Sequence, residues 1–565
     1  MKKIHFLLYG LMAIMMLAVA GCEKDDTDFS DYFNKTTTEE ISKADDDATD
    51  ETEDDSDDSS SEDSDENSES EDSQDENAGN DADNGESGDD NADNEDTNDN
   101  QENKDESAEE SGSSTNIDPS CVNVVYSGSS AQVTIADDVK NYLTVSVSGA
   151  QVSIVQSSSL TTEVTYTLSG SSSNGMFYMD GDLKATLVLN GLTLTNSNGP
   201  AINIENGKRI AVVLSDGTVN TLKDSSSGSH KAAFMVNGHT EFEGGGTLNI
   251  TGSLKHAFWG DEYVVFKKSL GTINVLGAKK DGFNINQYVE MNGGVITIKN
   301  VSDDGLQVSL EGDGSAEDTG ALTIQAGTLN VSATGKGLKA EGNVAVSGGN
   351  VTVTSSGGEG IESEGAINIT GGVITVNSYD DGINSGGDLT VSGGSLFVKS
   401  SNNDGMDANG NCYIKGGLVY AIGASQPEVA IDANSEERKQ LYVTGGTLVA
   451  IGGLESGASL SQTCYSTSSW SKSTWYSLTY GSTTFAFKTP SSGGTTLVVS
   501  ASSTPTLKSG VSVSGGTSIF GGMGYTGATV SGGSSVSLSQ YNGSGGNGGG
   551  GNPGGGNPGG PGGRG

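Results

Sequence analysis

The sequence predicts an all-β protein whose central part is a parallel β-helix with about 22–23 residues per coil, followed by a small C-terminal β cap. An Asp-Gly-like step recurs along this part, with its glycine at Gly282, Gly305, Gly337, Gly360, Gly382 and Gly405. These positions differ successively by 23, 32, 23, 22 and 23, and a second glycine keeps the same period from Gly294 to Gly417. Each repeat divides into three short pieces in which Val, Ile and Thr alternate with polar residues. Three strands per repeat make one coil of a solenoid.

The N-terminus predicts export and lipidation. Lys2 and Lys3 precede an apolar run that ends in VAGC, and small residues before a cysteine are typical of a bacterial lipobox. We expect residues 1–21 to be a signal peptide and Cys22 to carry a lipid anchor at the outer membrane or cell surface. An ordinary signal peptide or a membrane anchor is the alternative, but the run is short for a membrane span and is interrupted by Gly10.

Residues 22–118 read as an acidic tether. The whole chain has a net charge of -47, and the stretch from Glu23 to Ser120 holds 41 acids and 4 lysines. With so few apolar residues this stretch cannot bury enough surface to fold, so we expect a disordered, self-repelling spacer that carries the folded part away from a membrane. A weak, diffuse calcium store is the alternative. A second low-complexity segment, the Gly/Pro-rich tail, covers residues 536–565.

The β-helix is assigned to residues 119–452 and the cap to residues 453–535, where the period is lost and aromatic residues appear. The polar stretch EGDGSAEDTG explains the single longer interval as a loop. GPAINIENG, KAAFMVNG and KHAFWGDEY read as degenerate earlier coils. A β-propeller is the rejected alternative, because its repeat is about twice as long. One internal column of the core is predicted at Phe283, Leu306, Leu338, Ile361, Ile383 and Met406.

Acidic residues gather at the recurring glycine and predict calcium sites. Successive coils stack about 4.8 Å apart, and calcium–oxygen bonds of about 2.3–2.6 Å fit a cation between stacked carboxylates. The alternative is that the Asp-Gly steps only turn the chain, which does not account for the additional acids beside them. The predicted metal ligands are Asp380, Asp381, Asn384, Asp404, Asp407, Glu359, Glu362, Glu364, Asp303 and Asp304.

Composition excludes several other classes. Cys121, Cys412 and Cys464 are an odd set, so at most one pair can form and no disulfide framework is predicted. Four histidines without CxxC or HxxxH spacing argue against zinc. The acidic balance and the absence of a basic patch in the sequence argue against nucleic acid as a partner.

The lipobox, the 22-residue coils and the phrases DDGI, NDGMDANG and GGTL resemble the secreted β-helix family of carbohydrate-binding domain-containing proteins, over roughly Val122 to Val530. The resemblance implies a right-handed, calcium-binding parallel β-helix that binds cell-wall polysaccharide, either pectin-like or cellulose-like. That family is similar to calcium-dependent pectate lyases, whose ligands include a DDGxD-like phrase. NNDGMDANG matches this phrase through Asp404 and Asp407, with Asn403 replacing the first Asp, and SYDDGINSGG matches through Asp380 and Asp381, with Asn384 replacing the last.

Three functions remain open from the sequence. The leading hypothesis is a monomeric, non-catalytic polysaccharide binder with calcium, in which Trp259, Trp470, Trp475 or Tyr476 stacks on sugar rings. The second is a calcium-dependent lyase with Lys339 or Lys336 as the base, although neighbouring carboxylates favour the charged ammonium and oppose that role. The third is a surface adhesin or spacer that uses calcium only to stiffen the solenoid.

Overall fold

The structure is a computed structural model that describes residues 120–311 and 314–543. Over these ranges the chain is all-β, with short 3₁₀ helices at Lys140–Tyr142, Ser435–Glu437 and Phe520–Gly522. The described residues include no helix that is both long and apolar enough to cross a membrane. The predicted signal peptide, Cys22, the acidic tether and all but the first residues of the Gly/Pro-rich tail lie outside the described residues.

The predicted parallel β-helix is confirmed as a solenoid of about 11 turns with three strand faces. In one coil the first face is Phe283–Asn286, the second is Tyr288–Met291 and the third is Val295–Val301. Each strand pairs in parallel with the same face of the next coil. The turn from the third face to the next first face carries the Asp-Gly step and is here called the Asp-Gly corner.

The strands of the first face are Leu143–Ser148, Gln151–Gln156, Met176–Asp180, Ile202–Ile204, Ala232–Val236, His256–Gly260, Phe283–Asn286, Leu306–Ser309, Leu338–Ala340, Ile361–Ser363, Ile383–Ser385 and Met406–Ala408. The strands of the second face are Cys121–Ser127, Val164–Ser172, Ala185–Thr195, Ile210–Leu214, Thr240–Glu243, Val264–Phe266, Tyr288–Met291, Ala321–Ile324, Val344–Val346, Ile367–Ile369, Leu389–Val391, Cys412–Ile414, Leu441–Val443 and Ser459–Leu460. The strands of the third face, which the end of Ala185–Thr195 begins, are Val219–Lys223, Thr247–Gly252, Thr272–Ala278, Val295–Val301, Thr328–Ala333, Asn350–Ser355, Val373–Ser378, Ser395–Ser400, Leu418–Ile422 and Thr447–Ile451.

The core is the apolar interior of the solenoid, because side chains alternate between the inside and the outside of each strand. The predicted internal column from Phe283 to Met406 is confirmed, and its six side chains are at most 1% exposed. The degenerate earlier coils are also confirmed, since their phrases form the first-face strands from Ile202 to Gly260. The polar insertion connects Leu306–Ser309 to Ala321–Ile324 and leaves the register of the coils intact.

Both ends of the solenoid carry antiparallel strands, which end the parallel stacking. At the start, Ser130–Ile135 pairs antiparallel with Cys121–Ser127, and Leu143–Ser148 pairs with Gln151–Gln156. At the far end, Leu497–Ser500 pairs antiparallel with the last third-face strand, Cys464–Thr467 joins it, and Ser539–Tyr541 follows.

A six-stranded antiparallel sheet follows in the region predicted as a cap, with strands Trp475–Tyr480, Thr483–Lys488, Thr506–Ser514, Thr517–Ile519, Gly524–Thr526 and Thr529–Val536. This sheet packs on the outer side of the third face, not over the end of the solenoid. Tyr420 points outward from that face and contacts Phe485 and Phe487 with ring centroids 6.5 and 5.3 Å away. The aromatic residues of this region therefore make a second core.

Candidate metal and glycan site at the Asp-Gly corner

Glycine at the corner is required by the close approach of successive coils. A Cβ on Gly360 would lie 2.1 Å from Val376 Cγ1 and 2.6 Å from the carbonyl oxygen of Gly382. The backbone N–H of Gly360 donates to the carbonyl of Asp381 at 2.9 Å, so the backbone itself joins the coils here. Any side chain would separate the two coils, and this explains the period that the sequence shows.

The aspartate before the glycine ties one coil to the next. Asp281, Asp304 and Asp381 are buried, and one oxygen of each accepts the backbone N–H of the equivalent residue in the next coil, at 3.1, 2.7 and 2.9 Å. Asp404 accepts the N–H of Val429 in the same way. These carboxylates therefore have a structural task in turning and joining coils, and only their second oxygens lie outside these coil-to-coil bonds.

Three aspartates converge at the C-terminal end of this corner and are here called the downstream cluster. Asp404, Asp407 and Asp432 each place one carboxylate oxygen within 4.8 Å of the others. Asp404 is buried and the other two are half-buried. Such a set of close, partly buried carboxylate oxygens has the ligand chemistry and the spacing that calcium takes in proteins.

The sequence reading missed Asp432 and its neighbour Glu455. Asp432 follows Ile431, which bridges in parallel to Met406, and Glu455 follows Leu454, which bridges to Ile431. Both acids therefore continue the outward column of Asp407. The signal was present as IDANS, a repeat of MDANG, but Ala430 replaces the glycine and stands later in the chain than the period predicts.

Burial and mutual repulsion raise the pKa values in this cluster. Burial first, and then Asp407 and Asp404, raise the pKa of Asp381 to about 8. Burial and the nearby Glu428 and Asp407 raise the pKa of Asp404 to about 7.

The pKa of Asp432 rises to about 9 through burial and a side-chain hydrogen bond with Glu455. Burial also raises the pKa of Asp407. None of the ion pairs between described residues involves Asp381, Asp404, Asp407 or Asp432, so the negative charge lacks a described cationic partner. Protons, as the raised pKa values indicate, or a bound cation would relieve the repulsion between these carboxylates.

A second group of acids, here called the upstream cluster, contains Asp281, Asp303 and Asp304 and already has basic neighbours. Lys280 Nζ lies 3.2 Å from Asp303, and His256 Nδ1 lies 3.2 Å from Asp281. Burial opposes ionisation of Asp281, but the hydrogen bonds from His256 and Asn284 lower its pKa overall. Burial raises the pKa of Asp304 to about 6.

The predicted glutamates in the middle coils meet a lysine. Lys336 Nζ forms an ion pair with Glu362 and lies 3.5 Å from Glu359, while Glu364 is exposed. Burial opposes the charged form of Lys336, but Glu362 and Glu359 raise its pKa overall. Lys336, rather than Lys339, therefore neutralises these acids. Lys339 points outward in register between Gln307 and Glu362.

Asp380 and Asn384 occupy supporting positions. Asn403 Nδ2 donates to Asp380 Oδ1 at 2.9 Å, which joins two coils. Asn384 Nδ2 donates to Asp381 Oδ2 at 3.3 Å. Asn384 therefore presents its amide N–H to Asp381, and it stands next to Asp407 in the outward column of the first face.

Of the four predicted stacking rings, two are buried and the other two, Trp470 and Trp475, are half-buried. Trp259 is 5% exposed and lies under Lys231, whose Nζ is 3.4 Å from the ring centroid, and Tyr476 is 2% exposed inside the second core. Trp470 donates its Nε1–H to the Gly494 carbonyl, and Trp475 packs against Tyr525. Trp259 and Tyr476 are core residues because their coils and sheets bury them, which composition does not reveal.

A ring that the sequence reading did not select is exposed beside the acids. Tyr379 directly precedes Asp380 and Asp381 at the Asp-Gly corner, and 49% of it is exposed. An exposed aromatic ring next to polar groups is the arrangement that sugar rings use for stacking. The corner thus combines close carboxylates with an accessible ring.

Three comparisons with known proteins were made, and one of them, with a family model, matches the central coils. Residues 156–405 match the family model of carbohydrate-binding domain-containing proteins. No curated protein matches the chain significantly. A solved structure, the polysaccharide lyase-like protein from C. thermocellum as a gadolinium derivative, aligns with 20% identity over 57% of this chain and 98% of its own, with a TM-score of 0.27. That score is too low to bear on fold or function. The family resemblance predicted from the repeated motifs is confirmed, and residues 156–405 carry the match to the carbohydrate-binding domain-containing proteins.

Proposed function

We propose that this protein binds cell-wall polysaccharide, pectin-like or cellulose-like, through the Asp-Gly corner, with calcium held by Asp404, Asp407 and Asp432. The observation that carries this proposal is the approach of three carboxylate oxygens to within 4.8 Å at a place without a described cationic partner. Oxygens on opposite sides of a calcium ion are about 4.6–5.2 Å apart, so the set fits the ion. The family match to residues 156–405 supports carbohydrate as the ligand class.

Calcium would link the acidic corner to the glycan. The ion takes 6–8 oxygen ligands, and three protein carboxylates leave positions for water and for a sugar carboxylate or hydroxyl. Without the ion, the downstream cluster repels a uronate chain. Tyr379 would stack on a sugar ring beside the ion, since about half of its surface is accessible.

Non-catalytic binding is the form of this function that the described contacts favour. A lyase needs a base that is neutral when it takes the proton next to a uronate carboxylate. Lys336 is held in its charged form by Glu362 and Glu359. Arg209 forms ion pairs with Glu163 and Glu241 on the second face, and so is not available to hold a substrate at the corner.

The test is depletion of the purified chain on polygalacturonate and on cellulose, with calcium and with chelator. The same tubes are read for the ultraviolet absorbance of an unsaturated uronate. We expect calcium to increase the depletion without any absorbance, and we expect this gain to be lost in Asp432→Asn and weakened in Tyr379→Ala. The control is Asp182→Asn, which removes an exposed carboxylate elsewhere. Rising absorbance that Lys339→Ala abolishes would replace binding by lyase activity, and depletion that calcium does not increase would remove the metal from the proposal.

We further propose that Cys22 anchors the chain by lipid at the outer membrane or cell surface, so that the folded part meets polysaccharide outside the cell. VAGC at the end of the apolar run supports this. Cells fed an alkyne-tagged fatty acid should label the wild-type chain and leave Cys22→Ala unlabelled. Labelling of Cys22→Ala would contradict the anchor.

A further inference from the structure

We propose that the earlier coils of the same corner form a lysine-lined groove that binds anionic polysaccharide directly, without calcium. The inference rests on the proposed function in taking the ligand to be a polysaccharide. The groove adds a second region of contact with the polysaccharide. It also adds selectivity, because it favours chains that carry carboxylate or sulfate groups over neutral chains.

The groove is a cavity of about 630 Å³ at the Asp-Gly corner of the earlier coils. Its lining includes the polar side chains Lys223, Lys279, Asn196, Asn300, Ser225 and Ser253. This volume lies within the range of small-ligand sites, and hydroxyl and amide groups are the usual partners of sugar hydroxyls. The groove therefore suits a segment of polar, extended chain.

Lysines stack along this corner on successive coils. The backbone N–H of Lys280 donates to the carbonyl of Lys255 at 2.9 Å, and that of His256 donates to the carbonyl of Lys231 at 3.1 Å. Lys231, Lys255 and Lys280 thus stand one above the other at about the spacing of strands in a sheet. Together with Lys223 and Lys279 they make five lysines at one corner of an acidic protein.

Three of these lysines are available to a ligand. Lys223, Lys255 and Lys279 are exposed, and none of them forms an ion pair with another described residue. Lys231 instead covers the Trp259 ring, and Lys280 pairs with Asp303. Two of the three available lysines, Lys223 and Lys279, line the groove itself. Unpaired ammonium groups beside serine and asparagine side chains favour a negatively charged sugar as the ligand.

The wall of the groove is held in place before any ligand binds. Asp224 is buried, and its Oδ2 lies 2.9 Å from His230 Nε2. Its Oδ1 accepts the backbone N–H of Ser253, which belongs to the next coil. A wall braced by a buried carboxylate loses little freedom on binding, which favours affinity.

The groove continues into the acidic part of the same corner. The Lys280–Asp303 pair joins the lysine column to the upstream cluster, and the corner continues coil by coil to Asp404. An extended uronate chain lying along the solenoid axis would meet lysines first and calcium-bearing aspartates later. The earlier coils would bind the negative charge of the chain through lysines, and the later coils would bind it through calcium.

The experiment is calorimetric titration of the full chain with polygalacturonate in excess EDTA, so that calcium cannot contribute. We compare Lys223→Ser/Lys279→Ser with Lys472→Ser/Lys508→Ser, a control that removes two exposed lysines from elsewhere. The expected result is a salt-sensitive affinity that falls roughly five- to ten-fold in the groove variant and stays within about two-fold in the control. Fully methyl-esterified polygalacturonate should bind weakly to all three proteins.

Dextran sulfate separates the sources of charge. If it also binds through the groove lysines, the site accepts anionic polysaccharide in general, and if only polygalacturonate does, the site selects uronates. Equal losses in both double variants, equal binding of the methyl ester, or no effect of the groove substitutions would overturn the proposal. Thermal melts check that the variants remain folded, as expected for substitutions of exposed side chains.

The two proposals fail separately. A calcium-dependent affinity that Asp432→Asn removes, without any lysine-sensitive affinity in EDTA, would refute the groove and leave the calcium function standing. A lysine-sensitive affinity in EDTA, without a further gain from calcium, would refute the calcium function and leave the groove standing.

Discussion

The two acidic clusters lie at the same corner of the same solenoid, yet they balance their charge differently. In the upstream cluster, Lys280 supplies a cation from the chain itself, and His256 Nδ1 lies against Asp281. In the downstream cluster, Asp407 and Asp432 point outward in one column, and no described base pairs with them. Similar turns therefore place acids beside a lysine in the upstream cluster and acids without a described cationic partner in the downstream cluster. The column of outward side chains, not the Asp-Gly step, therefore distinguishes the two clusters.

The largest expected effect is on calcium affinity. Asp432→Asn should weaken calcium binding by about a hundred-fold, because it removes one of three charged ligands from a small set. Asp303→Asn, the matched change in the upstream cluster, should leave the affinity within about two-fold. Titration calorimetry of the full chain measures both. Equal losses in the two variants would remove the distinction between the clusters.

The next effect is on the pH dependence of stability in chelator. Asp404 and Asp432 have pKa values of about 7 and about 9 when folded, above the value of about 3.9 in an unfolded chain. Between these values the folded protein binds more protons than the unfolded chain. The free energy of unfolding is therefore highest below about pH 4 and falls as the pH rises from about 4 to 9.

A pKa that differs by one between the folded and unfolded states changes the free energy of unfolding by about 1.4 kcal/mol. Urea denaturation at pH 5 and at pH 8.5 should therefore detect the loss of stability. Saturating calcium should flatten the dependence, because the ion replaces the protons. If the protein in chelator is more stable at pH 8.5 than at pH 5, the assignment of the raised pKa values is contradicted.

A smaller effect should be the same at both clusters. A Cβ at Gly282 would lie 2.6 Å from the carbonyl oxygen of Gly305, and one at Gly405 would lie 2.5 Å from that of Ala430. Gly282→Ala and Gly405→Ala should each reduce the free energy of unfolding by about 1–3 kcal/mol, in chelator. Gly207→Ala, where no atom lies within 4 Å, is the control and should change it by less than about 0.5 kcal/mol. A strong difference between the two corner variants would show that the turns are not equivalent.

The smallest effect is at Lys280. Its pair with Asp303 is exposed, so Lys280→Ser should cost less than about 1 kcal/mol of stability. The loss of this built-in cation should add a second, weaker calcium-binding event, visible by calorimetry. A variant that binds calcium with unchanged stoichiometry would indicate that the upstream carboxylates cannot hold the ion even when their lysine is absent.

Prediction from the sequence succeeded where the repeat was regular. The internal column from Phe283 to Met406 and the glycines at the corner were found from the period alone, since each position recurs in every coil. Asp432 and Glu455 escaped because Ala430 replaces the glycine and the interval before it is longer than the period. Trp259 and Tyr476 are predicted from the sequence as stacking rings, but neighbouring elements bury both side chains.

The sequence by itself determined the solenoid, its period, its insertion loop and its inward column, because stacking identical coils makes local alternation sufficient to place a side chain inside or outside. Only the tertiary structure decided which charges meet. Lys336 reaches Glu362 of the next coil, Asp432 joins Asp404, and Lys223 and Lys279 line one groove although they belong to different coils. Ion pairing depends on side-chain reach across coils, and a repeat period does not encode that reach.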